Sequence, residues 1–431
     1  MSEIAYARAD DDTHIAYRVI GEAGRVDVVM VAGALFPLEL LVEDRVASRF
    51  IAGLAALGRV VVFDKRGIGL SDPMTDWSVS AQDQWADDLL AVVNAAGLDH
   101  PVVVSWETHG VARTAVARCP DTFSMMVLVN PAQYARSFRD VLIASAGQTL
   151  PTRTSEELAF PSRIHDEDFT DWLARSGRAG ASPKTAARIW EHLLGYDDEL
   201  TPPGITTPTL VLHNRDSLQR IDDVRAVAEA IPGSRLVEVA GADIYPIAGD
   251  VDPLIREIAE FVTGAPTALT PLRHLAAVLF TDLVGSTQRA VEAGDAQWRE
   301  LLDIHDRTVR ESVRAFGGRV VKYTGDGVLA LMSSATDALD ATLMIQERLA
   351  TQDLAIRAGV HVGDVDTRGA DVSGVTINIA ARIMGRANSD ETLVSEAVRL
   401  AALGSGHRFE AAETTALKGI PEEWALFRRI S

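Results

Sequence analysis

Five short apolar runs constrain this chain more than any other feature. VDVVMVAG (Val26 to Gly33), RVVVFD (Arg59 to Asp64), PVVVS (Pro101 to Ser105), MVLVN (Met126 to Asn130) and PTLVLH (Pro208 to His213) are rich in Val and Leu without polar alternation. A strand with one solvated face alternates, whereas a strand apolar throughout is covered on both faces. Between most of the runs lie apolar residues at helical spacing, such as Trp85, Leu89, Val92 and Val93. The pattern predicts an α/β, doubly wound parallel sheet. Residues 136–200 hold charged, helix-forming sequence without such runs, which predicts a helical insertion over the sheet.

The grammar changes after a helix ending near Phe261. TGAPTALTPLRH (Thr263 to His274) is small, polar and proline-containing, a linker between domains at 1–262 and 275–431. At roughly 150 residues per domain, 431 residues accommodate this division. AAVLFTDL (Ala276 to Leu283) predicts a strand. Trp298, Leu301, His305, Val309, Val313 and Phe316 mark one face of a long helix ended by Gly317 and Gly318. RVVKY and VLALM flank Thr324-Gly325-Asp326-Gly327 as a hairpin. A helix over about Thr336 to Leu349, the strand IRAGVHVGDV, a helix over about Thr376 to Ala387 and a closing β pattern follow. The βαββαβ order predicts an α+β, ferredoxin-like sheet with helices on one face.

Acidic residues outnumber basic ones 61 to 41, and the net charge of -20 repels phosphate backbones, which argues against a nucleic-acid partner. An anionic substrate then needs a metal ion or a local Lys and Arg cluster. The single cysteine, Cys119, forms no internal disulfide. The polar, acidic start MSEIAYARADDDTH and the lack of a transmembrane-length apolar run predict a cytoplasmic chain without a membrane span.

Two carboxylates stand out. Asp282 ends an apolar strand and Asp326 sits in the hairpin turn, so strand and hairpin side by side bring both to one edge, where oxygen ligands suit a hard cation. Val284-Gly285-Ser286-Thr287 opens a helix whose free N–H groups suit phosphate. Each feature also has an ordinary structural use, Asp-Gly as a turn and Ser286 or Thr287 as an N-cap. Taken in order, FTDLVGST, KYTGDG, IRAGVHVG, DVSGVTINIAAR and LKGI resemble the class III nucleotidyl cyclase catalytic domain over about residues 275–431.

That resemblance implies a set of roles. Asp282 and Asp326 ligate two Mg²⁺ or Mn²⁺ ions, Lys322 and Asp371 select the purine, and Asn378 orients the ribose. Arg382 stabilises the transition state, while Arg357 and Lys418 hold the β- and γ-phosphates, with Ser286 and Thr287 at the helix opening. A lysine donor matches adenine N1 and Asp371 matches its exocyclic amine, whereas guanine mismatches both, so the implied substrate is ATP. The implied product is 3′,5′-cyclic AMP, made by a homodimer whose two sites each draw on both subunits. An alternative is a pseudo-cyclase that only binds and dimerises.

FDKRGIGLSD (Phe63 to Asp72) resembles a loop of the α/β-hydrolase superfamily, and the resemblance extends over residues 1–262. That family needs a nucleophile on an elbow, a histidine base, an acid and an oxyanion hole. Here the elbow reads Ser105-Trp106-Glu107-Thr108-His109, with Glu107 for the serine and His109 for a glycine. The acid position falls near Asp216 or Ser217, Ile244 replaces the histidine, and Ala32-Gly33 replaces a His-Gly pair. The expectation is a silent scaffold that regulates its neighbour or senses a small-molecule ligand. Asp64, Arg66 and Asp72 are expected to hold their loop together. A residual hydrolase with Glu107 as carboxylate nucleophile is the bifunctional alternative.

Overall fold

The computed structural model describes residues 3–131, 157–164, 166–195, 204–265, 272–368 and 371–430. The chain divides into two compact units, Met1–Leu269 and Thr270–Ser431.

The first unit is built on one sheet of eight strands: β1 (Ala5–Arg8), β2 (His14–Ile20), β3 (Val28–Val31), β4 (Val60–Phe63), β5 (Val102–Trp106), β6 (Met125–Val129), β7 (Thr209–Asn214) and β8 (Arg235–Val239). Their order is β1-β2-β4-β3-β5-β6-β7-β8. The five apolar runs are the five adjacent central strands, β4, β3, β5, β6 and β7, all mutually parallel. Val28 and Met30 feed one apolar cluster, Val29 and Val31 the other, which is why these strands carry no polar alternation. One face is covered by helices Arg45–Ala55 and Asp252–Thr263 through Phe50, Leu54, Ile255 and Ile258. The other is covered by helices Ala81–Ala95 and His109–Arg118 through Trp85, Leu89, Ala112 and Val116. Asp44 and Ser80 cap two of them by accepting main-chain amides.

Strand β1, antiparallel to β2, strand β2, antiparallel to β4, and the edge strand β8 lie outside the apolar runs. Within 136–200, helices Glu167–Gly180 and Pro183–Gly195 form as expected, while residues 136–156, 165 and 196–200 lie outside the described residues. The motif loop is tied as its sequence suggests. Asp64 accepts the amides of Leu38 and Leu70, Arg66 pairs with Asp88 and Asp11, and Asp72 accepts from His14.

The second unit holds β9 (Leu272–Leu283), β10 (Arg319–Tyr323), β11 (Gly327–Met332), β12 (Ile356–Arg368), β13 (Asp371–Ser373), β14 (Thr392–Ser395), β15 (Arg408–Ala416) and β16 (Glu423–Ile430). Strand β9 starts at Leu272, inside the segment read as linker, whose residues 266–271 lie outside the described residues. The order β10-β11-β9-β12-β14-β16-β15, with β13 on the side of β12, contains the antiparallel ferredoxin-like set β10-β11-β9-β12.

The long helix Ser286–Ala315 is two helices joined at Gly294 (φ 74°, ψ 163°), and Gly317 (φ 67°) ends it. With helix Ala335–Ala350 it covers one face, Val309, Val313, Leu339 and Ile345 meeting Ala277, Leu279 and Leu283. The expectation of helices on one face holds for these two and not for helix Val375–Met384. That helix covers the opposite face, packing Ala380, Ile377 and Met384 on Ala276, Val278 and Phe280. The unbroken apolar run of β9 requires both covers. Gly359 of β12 admits the third helix, because a Cβ there would lie 2.2 Å from the Met384 amide nitrogen. Among the described residues no helix is long and apolar enough to cross a membrane.

Candidate functional site

In β9 the residues Ala276, Val278 and Phe280 lie under helix Val375–Met384, and Asp282 continues that alternating row. Gly327 and Arg357 stand opposite Asp282 on its two neighbouring strands. Ile356, Ala358 and Val360 of β12 belong to the other face, leaving Arg357 on the face of Asp282. Lys322 stands opposite Leu329, which belongs to the cluster under the third helix. One face of the sheet therefore carries Asp282, Arg357, Lys322 and the helix that bears Asn378 and Arg382.

Local bonds explain how the carboxylates meet. Gly325 (φ 94°) turns the hairpin, and the Thr324 amide donates to the Gly327 carbonyl at 2.8 Å. The Leu283 amide donates to the Asp326 carbonyl at 3.2 Å, so Asp326 is held beside the end of β9. A Cβ on Gly327 would stand 2.7 Å from the Thr281 carbonyl oxygen and 3.2 Å from Asp282 Oδ1, so glycine keeps that oxygen open. Asp282 Oδ2 accepts from Arg357 Nε at 2.9 Å and Nη2 at 2.6 Å. Asp282 Oδ1 and the Asp326 carboxylate accept no hydrogen bond among the described residues. This donor set, hard anionic oxygens with an open side, fits Mg²⁺ or Mn²⁺. Among the described residues no group of three or more His, Cys, Asp or Glu forms a self-sufficient metal cage, so the substrate and water would complete the coordination.

The remaining candidates stand around this face. Val321 and Val372 pack into one cluster, which sets Lys322 close to β13, the strand that begins at Asp371. Asn378 and Arg382 are exposed one turn apart, with Val375, 60% exposed, on the same side of the helix. On the buried side Ile379 and Ile383 pack with Leu417, which brings exposed Lys418 to that helix. Ser286 is the first residue of its helix, but Gly285 occupies the N-cap position (φ 70°) with no side-chain cap, so the N-cap use of Ser286 or Thr287 is not the one adopted. Arg357 therefore joins Asp282 directly, while Lys322 lies on the same sheet face toward β13. No hydrogen bond or ion pair among the described residues joins Asp282 or Asp326 to Asn378 or Arg382.

In the first unit the elbow after β5 keeps its left-handed backbone, Glu107 having φ 63°. The backbone donors that would stabilise an oxyanion there are the amide after the nucleophile position and one from the loop after β3. Both are taken. The Thr108 amide donates to the Trp106 carbonyl at 2.8 Å, and the Ala34 amide donates to Glu107 Oε2. Tyr245, beside Ile244, also bonds the Glu107 carboxyl. Burial pushes the Glu107 pKa up against those bonds and the Lys65 charge. Ile244 is buried with its carbonyl accepting from Asn130 Nδ2 at 2.6 Å, and the Ser217 hydroxyl has no partner. His109 is buried, which pushes its pKa down to about 3, so it supplies no base near neutral pH.

Sequence reasoning passed over Lys65. Its Nζ donates to the carbonyls of Ala32 at 2.8 Å and Gly33 at 3.0 Å, and burial lowers its pKa to about 8. The available signal was a lysine set directly behind an apolar strand. Tyr245 had none beyond adjacency to Ile244.

No family model matches the chain. Among curated proteins it is similar to an adenylate cyclase of Streptomyces coelicolor, 32% identical over 180 residues, covering 38% of this chain and 46% of that protein. It is also similar to an uncharacterized protein of Mycobacterium tuberculosis, 27% identical over 265 residues, covering 51% of this chain and 69% of that one. The chain thus spans less than half the length of the Streptomyces cyclase. Among solved structures, an esterase from Rhodococcus sp. ECU1013 matches with TM-score 0.50 and 22% identity, covering 61% of this chain and 99% of its own. An esterase from Exiguobacterium antarcticum matches with TM-score 0.51 and 18% identity, covering 60% and 99%. These likenesses give the larger unit its α/β-hydrolase fold.

Proposed function

We propose that this chain, related in sequence to adenylate cyclases and carrying an α/β-hydrolase-like first unit, is an adenylyl cyclase that converts ATP to 3′,5′-cyclic AMP and pyrophosphate. The observation that carries the reading is the gathering of Asp282, Arg357, Lys322 and the Asn378–Arg382 helix on one face of the second sheet.

Asp282 and Asp326 would hold two Mg²⁺ or Mn²⁺ ions, which would supply Lewis acidity to the ribose 3′-hydroxyl and positive charge to the triphosphate. Lys322 donates to adenine N1, and Asp371 accepts from the exocyclic amine. Asn378 orients the ribose so that its 3′-oxygen faces the α-phosphorus of the same molecule. Arg382 donates to the charge growing on the α-phosphoryl oxygens. Arg357 leaves Asp282 for the triphosphate, where Lys418 and the amides opening the helix at Ser286 and Thr287 assist.

Among the described residues no hydrogen bond or ion pair links Asn378 or Arg382 to the carboxylates, and both stand beside exposed Val375. Both features support a homodimer in which a partner subunit completes each site. Among the described residues of the first unit, Glu107 stands at the nucleophile position, Ile244 at the base position, and the two oxyanion donors are taken, which supports a regulatory or ligand-sensing role over hydrolysis. The test is turnover of ATP with Mn²⁺ by the full chain, beside a panel of esters. Cyclic AMP that falls at least about 100-fold in Asp326→Ala, with no ester turnover, is expected. A dimeric sample that makes no cyclic AMP contradicts the reading and leaves a binding module.

A further inference from the structure

The first unit contains a charged arrangement that catalysis there would not need. Gly33 C=O and Ala34 N–H belong to one peptide group. Lys65 Nζ donates to that carbonyl at 3.0 Å, and Glu107 Oε2 accepts from that amide. A buried ammonium and a carboxylate thus face each other through a single peptide dipole, each polarising it toward the other. Thr108 Oγ1 and Lys65 both donate to the neighbouring Ala32 carbonyl, at 2.9 Å and 2.8 Å, which fixes the loop behind the amide.

Space at the loop is shaped around the carboxylate. A Cβ on Gly33 would lie 2.4 Å from Glu107 Oε2, 2.6 Å from the Trp106 ring and 2.8 Å from the Phe36 ring. Ser105, Trp106, Thr108 and His109 are buried, yet Glu107 between them keeps intermediate exposure, so it borders a space open to solvent. Phe36, Trp106 and Tyr245 rings surround the position, with centroids 5.0 to 6.3 Å apart. The left-handed φ of Glu107 is strained for a residue with a side chain, and it is kept here with no serine to present.

We propose that the elbow of the first unit is a carboxylate site whose occupant in this structure is the chain's own Glu107, and that a small monocarboxylate with an apolar body takes the same place when that side chain is removed. The Ala34 amide, polarised by Lys65, and the Tyr245 hydroxyl are the donors, and the rings provide the apolar wall. This inference concerns the first unit and stands independently of the cyclase reading.

The test uses the full chain, hydrogen exchange at the Ala34 amide, and propionate as the probe against sodium chloride of equal ionic strength. The Ala34 amide is expected to exchange at least about tenfold faster in Glu107→Ala than in the unaltered chain. Propionate should slow it again in a saturable way and raise the melting temperature by about 2–4 °C. The unaltered chain and Glu107→Gln, which keeps an oxygen acceptor at the amide, should respond to neither salt. An Ala34 amide that stays protected in Glu107→Ala, or a variant that propionate affects no more than chloride, overturns the proposal. If Glu107→Ala is insoluble, refolding from urea in the two salts decides the matter. Recovery that depends on propionate supports the site, and equal recovery overturns it.

Discussion

At the residue scale, the sequence disclosed the groups whose chemistry is conspicuous and hid those whose role depends on burial. Asp282 and Asp326 were legible through the ordered motifs FTDLVGST and KYTGDG that carry the resemblance to nucleotidyl cyclases, since each acid alone has an ordinary structural use. His361 was not, because a histidine inside a strand has no sequence signature. In the structure its ring is buried, bonds Ser395 Oγ at 2.8 Å and meets Trp424 edge-on, and burial lowers its pKa to about 4. The sign follows from linkage. The folded unit keeps His361 neutral down to about pH 4, whereas the unfolded chain takes a proton below about pH 6.5. His361 therefore leaves stability intact above about pH 6.5 and subtracts from it as the pH falls toward 4, by on the order of 3 kcal/mol. Urea unfolding of the chain between pH 7 and 4 should show His361→Asn losing less stability on acidification than the unaltered protein. Equal slopes would remove the assignment.

At the scale of elements, the βαββαβ order was readable because period and glycine punctuation change together at each boundary. Strands β1 and β8, at the edges, and β2, next to an edge, escaped because they mix polar and apolar residues instead of forming an apolar run. The face taken by helix Val375–Met384 escaped as well, since periodicity shows which side of a helix is apolar and not which sheet face receives it. Gly359 is the residue that decides. A Cβ there meets backbone, the Met384 nitrogen at 2.2 Å and the Ala380 oxygen at 2.7 Å, so no rotamer change relieves the clash. Gly359→Ala should destabilise the second unit by about 1–3 kcal/mol and lower cyclic AMP formation through displacement of Asn378 and Arg382. Urea unfolding and initial rates check both effects, and a variant of normal stability and rate would show that the helix is held by other contacts.

At the scale of the whole molecule, the net charge of -20 argued against a nucleic-acid partner and located no site. The acids the proposed cyclase uses are few, Asp282 being placed by β-sheet register, and the cations proposed to offset a triphosphate are Arg357, Arg382 and Lys418. The missing hydrolase chemistry was legible one residue at a time at Glu107 and Ile244. That Glu107 closes the oxyanion donor was not legible, since it depends on the loop carrying Ala34 returning to the elbow across the sheet. The second unit holds both groups of residues that the proposed cyclase uses, and among the described residues no hydrogen bond or ion pair joins Asp282 or Asp326 to Asn378 or Arg382, so the proposed site requires a second copy. Asp282→Ala and Arg382→Ala chains, each inactive alone, measure this directly when mixed, unfolded together and refolded. Random pairing places one intact site in half of the dimers, so the mixture should recover about a quarter of the unaltered cyclic AMP activity. A mixture that stays inactive while both variants fold and dimerise would contradict the account.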